Sequence, residues 1–179
     1  YKNMIGDCSA DVVSSTVPCS KKWMVGTVNS LFIGIIATAI ATALGTMAAL
    51  GLSRPHMPYK ALIMSILISP MIVPLIITAA GMFFFYARIN LVSTCTGVIL
   101  AHVALATPFV VITVTATLVG FDMNMVKAAQ SLGAKPIRTF FKVIMPLILP
   151  GIISGALFAF ITSFDEVVIV MFMASIDQL

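Results

Sequence analysis

The chain has 179 residues, of which 60% are hydrophobic and 9% charged, with a net charge of +4; its mean hydropathy is +1.14. A soluble domain of this size would have too little polar surface to cover itself, so composition points to an integral membrane protein. The basic excess is no nucleic-acid signal, because Lys and Arg sit mostly in the short connections of a membrane chain, where they set topology.

Residues 1–23 form a polar N-terminal segment that is left unassigned. It has no long apolar run and so no ordinary signal peptide. The chain begins with Tyr1 and ends at Leu179 just after an apolar run, which reads as a fragment of a longer protein. Cys8 and Cys19 share the N-terminal segment; they could pair in an oxidising compartment or remain two free thiols. With Cys95 they form no CxxC or Cys/His cluster, and His56 and His102 lie far apart, so no metal site is expected.

Four apolar stretches, about 24–52, 61–87, 96–119 and 146–173, are long enough to cross a bilayer, which takes roughly 20 residues. The expected fold is an all-α membrane bundle. The connection 53–60, SRPHMPYK, is a basic turn with two prolines, and 88–95, RINLVSTC, is a weakly polar turn. The long connection is 120–145. Arg54, Lys60, Lys127, Lys135, Arg138 and Lys142 make six basic residues on one side, against Lys2, Lys21, Lys22 and Arg88 on the other. That bias puts 53–60 and 120–145 in the cytoplasm. Small residues mark packing faces: Gly151, Gly155 and Ala159 recur every four residues, and the first span carries Gly34, Ala37, Ala41, Gly45 and Ala48. Pro70 and Pro74 interrupt the second span and Pro108 the third, either as tolerated kinks or as borders of a cavity or moving element.

Within 120–145, Asp122 is a good N-cap for a helix from about Met123 to Leu132. Gly133 suits the left-handed position that ends a helix, and Pro136 suits the first turn of another. In that second helix Ile137, Phe140, Phe141 and Ile144 fall at i, i+3, i+4, i+7, opposite Lys135, Arg138, Thr139 and Lys142. The pattern predicts a helix–turn–helix on the cytoplasmic surface with its apolar stripe against the bundle. Ala128 and Ala129 leave room for a partner on the first helix; a plain interfacial helix also satisfies the pattern.

The stretch KAAQSLGAKPIRTFFKVIMPLILP resembles the cytoplasmic loop signature of permease subunits of bacterial ATP-binding-cassette importers. That signature runs Glu-Ala-Ala, three residues, Gly, nine residues, an aliphatic residue, any residue, an apolar residue and Pro. Here Ala128, Ala129, Gly133, Val143, Met145 and Pro146 stand at the matching positions, while Lys127 occupies the place of the Glu. LAHVALATPFVVITVTATLVGFD and SGALFAFITSFDEVVIVMF are similar to the polyamine, opine and phosphonate branch, and the likeness covers about residues 24–176. Some polyamine-type relatives carry an acid just after the first proline of SPMIVP, where this chain has Met71.

The resemblance implies a type I importer permease fold of about six spans, of which this chain would hold the second to the fifth. It implies a multi-pass subunit of the bacterial inner (plasma) membrane that forms a translocation path for a small, most plausibly polyamine-like solute. Its partners would be ATPase subunits at the cytoplasmic face, a second permease subunit, identical or homologous, and a periplasmic or extracellular solute-binding protein. The ATPase would dock through 123–133, with Lys127, Ala128, Ala129, Gly133 and Pro146 in the docking loop. ATP and Mg would bind to the ATPase and no cofactor to this chain, which has no Gly-rich phosphate loop followed by Lys-Ser/Thr.

Thr162, Ser163, Asp165 and Glu166 interrupt the fourth apolar stretch. Along a straight helix Asp165 lies about 28 Å from Pro146. Charges inside a span usually face a cavity or a partner. These four are therefore candidates for the substrate path, attracting a cationic solute; a structural pair, with Arg88 for example, or a neutral carboxyl in a helix contact would also account for them. The alternative function is a stand-alone channel or secondary carrier with Asp165 and Glu166 as ion or substrate sites, although no convincing internal repeat is visible. An enzyme is disfavoured: there is no HExxH and no Ser-His-Asp set, and only two histidines are present.

Overall fold

The computed structural model describes residues 19–54, 57–120, 122 and 124–173, with side-chain surroundings from residue 26 onward. The proposed Cys8–Cys19 pair involves Cys8, which lies outside the described residues; Cys95 is disulfide-bonded. Regular structure among the described residues is entirely helical, as lipid demands of backbone that must satisfy its own hydrogen bonds.

Helix α1 spans Cys19–Leu52, α4 spans Cys95–Val119 and α7 spans Met145–Asp165. These three pack side by side around a common core of Ala37, Ala41, Ala49, Val103, Ala106, Val110, Val114 and Ala159. The small residues explain the closeness. A Cβ added at Gly45 would stand 2.7 Å from Val110 Cβ, and one added at Gly151 or Gly155 would run into Thr117 Oγ1 or Thr113 Oγ1. The expected face Gly151, Gly155, Ala159 is buried as a unit. On α1 the buried stripe runs Ala37, Ala41, Gly45, Ala49 and Leu52; Ala48, expected in it, is half-buried, because the stripe keeps a spacing of four past Gly45. These contacts fix the register: α1 and α4 run parallel and α7 antiparallel to both.

The second apolar stretch is not one straight crossing. Helix α2, Lys60–Ile72, and α3, Leu75–Arg88, meet at a bend of 103°. Pro74 stands at the N-cap of α3, and lacking an N–H it cannot continue the ladder of α2. Pro108, by contrast, lies buried inside an unbroken α4, so it is tolerated rather than a break.

The fourth stretch is also divided. Helix α7 ends at Asp165 and α8, Val168–Met173, follows. Helix α8 joins α3 and α4 in a second apolar cluster of Ala79, Tyr86, Ala101, Leu105, Ile169 and Met173. The Ser93 N–H donates to Met173 O at 3.0 Å, tying the 88–95 turn to α8.

Candidate functional site

The connection between α4 and α7 is built from local signals. Asp122 Oδ1 accepts from the Asn124 N–H at 2.9 Å and opens helix α5, Asn124–Ser131. At the other end Gly133 has φ +78°. Its N–H donates to Gln130 O at 2.9 Å and the Ala134 N–H donates to Ala129 O at 3.1 Å. This pair of bonds is a Schellman closure, which needs a residue that accepts the left-handed region. Pro136 then opens α6, Pro136–Thr139.

The second helix departs from the expected surface helix. Residues 136–165 form one continuous helical rod with a π-helical turn at Phe140–Ile144. The Met145 N–H reaches back to Phe140 O. The wider turn sits just before Pro146, whose ring would clash with the carbonyl four residues earlier and whose missing N–H leaves it unpaired. Gly151 lies level with Thr117, near the end of α4. The rod therefore overhangs that end by about 12 residues, or about 18 Å. Ile137 and Phe141 are 75% and 60% exposed, whereas Phe140 and Ile144 are half-buried, so only half of the expected apolar stripe is covered. Among the described residues, what packs against this part of the rod is α5. Thr139 is the buried side chain instead.

Docking-loop candidates thus gather at one end of the molecule. Lys127, Ala128 and Gly133 are exposed, whereas Ala129 is half-buried and turned toward its own chain. Pro146 is exposed at the start of α7, beyond the π-turn rather than on the capped helix.

The intramembrane candidates separate more sharply. Ser163 is buried, and its Oγ lies 2.8 Å from His102 Nδ1, joining α7 to α4. Glu166 leaves the helix, and its Oε1 accepts from the Ile169 N–H at 3.1 Å, covering an open end of α8. Thr162 is half-buried. Asp165 is exposed and has no hydrogen-bond or ionic partner among the described residues; neither acid pairs with Arg88 there. His102 is the site residue that sequence reasoning missed. It is the one histidine inside an apolar span, but its partner is 61 positions away. Its Nε2 is buried with no partner among the described residues, as are the hydroxyls of Thr38, Thr42 and Thr46 on α1.

Comparison with known protein families matches residues 25–179 to the family described as "Binding-protein-dependent transport system inner membrane component". The chain belongs to this family. As a member it is a multi-pass component of a bacterial inner membrane. It is 32% identical over 150 residues to the spermidine/putrescine transport system permease protein PotC of Haemophilus influenzae, covering 84% of this chain and 58% of that protein. It is 33% identical over 144 residues to the trehalose transport system permease protein SugB of Mycobacterium tuberculosis, covering 80% and 53%. The chain thus spans somewhat over half the length of the curated relatives it matches. Among solved structures it is similar to a chain of the MetNI methionine ABC transporter in an inward-facing conformation, with a TM-score of 0.66 and 21% identity, over 83% of this chain and 73% of that one. The fold is accordingly that of a type I importer permease, of which this inner-membrane component holds four apolar stretches.

Proposed function

We infer that this chain is part of the permease subunit of an ATP-driven, binding-protein-dependent importer. It does no chemistry itself. An ATPase subunit docks on α5 and its Gly133 turn, within 123–133, and binds ATP and Mg. A second permease subunit, identical or homologous, completes the path, and a solute-binding protein delivers the cargo from outside. The observation that carries this reading is the capped two-turn helix packed on the overhanging end of the rod 136–165, in a chain of this family. A connection that merely joined two spans needs neither the Schellman closure nor the overhang.

The solute is cationic and polyamine-like. The support is Asp165, an exposed carboxylate at the end of α7 with no partner among the described residues. Charge at that depth is retained where it meets a cavity or an ion. Relatives named for a polyamine and for a sugar are matched at similar identity, so likeness alone does not choose between them.

The test is ATPase activity of the complete importer in proteoliposomes, with a spermidine-binding or a trehalose-binding protein as alternative activators. Spermidine stimulates hydrolysis and Asp165→Asn removes the stimulation by tenfold or more. Stimulation by trehalose and indifference to Asp165→Asn would overturn the cationic assignment. Ala128→Trp, at an exposed position, abolishes capture of the ATPase. Solute flux through the permease with no ATPase present would point to a channel or carrier instead.

A further inference from the structure

The overhanging end carries charge of one sign. Lys127, Lys135, Arg138 and Lys142 are all exposed. Asp122 is the sole acid between residues 120 and 145, and its Oδ1 already accepts from Asn124. None of the four cations has an ionic partner among the described residues. Apolar side chains stand between them: Met125 is 53% exposed, Leu132 89%, Ile137 75% and Phe141 60%. Large apolar groups interleaved with unpaired cations make a poor solvated surface and a good contact surface.

We propose that the surface receiving this end is an apolar groove rimmed by Asp and Glu carboxylates on the ATPase partner, with one carboxylate facing Lys127. The proposal rests on the docking reading above and adds the sign of the partner's charge. Opposite charges steer encounter and fix register, while like charges across a contact are strongly disfavoured. A headgroup layer is the competing anion, and height argues against it. The overhang is about 18 Å, whereas the polar layer on each side of the hydrocarbon is only about 6 Å deep. Helix α5 packs against residues 136–144 of the rod, about 6 to 18 Å beyond the end of α4, which is past that layer for most of its length.

The test measures capture of the cognate ATPase by the detergent-purified full-length permease, for wild type, Lys127→Glu, Lys127→Arg and Ala128→Trp, across a salt series. Lys127→Glu weakens capture about tenfold, Lys127→Arg leaves it unchanged, and rising salt weakens wild type more than Lys127→Glu. A carboxylate-to-lysine change on the facing rim of the ATPase restores capture by Lys127→Glu. Equal elution profiles of the variants show that the fold is intact, as expected at an exposed position. If Ala128→Trp abolishes capture but Lys127→Glu and salt do nothing, the acidic rim is wrong and the docking reading stands. If Ala128→Trp also captures normally, the docking reading itself falls. If Lys127→Glu instead loses binding to phosphatidylglycerol vesicles while capturing the ATPase normally, the basic face serves lipid and the proposal is overturned.

Discussion

Helices α2 and α4 are both strongly apolar and both contain a proline, yet they end up in opposite surroundings. Eleven residues of α4 are buried, Pro108 among them, whereas α2 buries none. The two differ in their neighbours rather than in their own hydropathy. Helix α4 lies between α1 and α7, whose glycines and alanines let backbones approach. Helix α2 meets no such stripe, and its own large side chains stay uncovered. In a membrane, where lipid is as apolar as leucine, close approach decides which helix becomes core. Helix α2 touches α4 and α3 but leaves its large side chains uncovered among the described residues.

The comparison can be broken at its tightest point. Gly155→Leu forces a side chain into Thr113 Oγ1, with the Val110 backbone only 3.0 Å from the added Cβ. It should cost about 3 kcal/mol, the upper part of the overpacking range, read as a large drop in the thermal unfolding midpoint in detergent. An unchanged midpoint would mean that α7 does not pack on α4 as described. A smaller loss is expected at the polar link in the same junction. His102→Ala leaves the Ser163 hydroxyl buried without its partner, at about 1–2 kcal/mol. His102→Leu combined with Ser163→Ala should recover most of that loss, since no orphaned group remains. If the double change costs the sum of His102→Leu and Ser163→Ala made singly, the 2.8 Å bond couples nothing. The smallest effect belongs to the open helix. Ile66→Ala, at a residue 61% exposed, should shift stability by less than about 0.5 kcal/mol in the isolated chain. A shift appearing only in the assembled importer would identify α2 as a subunit contact.

Local chemistry was legible in the sequence, and relative placement was not. Asp122, Gly133 and Pro136 each act within a few residues, so the capped helix could be located to within one residue at either end. The break after Asp165 and the π-turn before Pro146 depend on how backbone bonds are shared around unpaired groups, which hydropathy does not report. Of the stripe Ile137, Phe140, Phe141, Ile144, the structure half-buries Phe140 and Ile144 and leaves Ile137 and Phe141 exposed, and the π-turn at 140–144 alters its period. Whether a helix face meets its own bundle depends on where the neighbouring helices stop, and α4 stops short of it. Ser163 and Glu166 were grouped with Asp165 because they adjoin it. Helical geometry instead turns Ser163 toward His102, and the break turns Glu166 toward α8, leaving Asp165 alone on the surface.

The rod 136–165 also has a mechanical consequence. Its packing on α4 and α1 runs from Gly151 through Gly155 and Ala159 to Ser163, which is bonded to His102. The part from Pro136 to about residue 148 reaches past the end of α4, about 18 Å in all. One half of the rod is thus clamped along its length and the other projects from the clamp. A sideways load on the projecting tip would be passed to α4 and α1 together, as in a beam built into a wall.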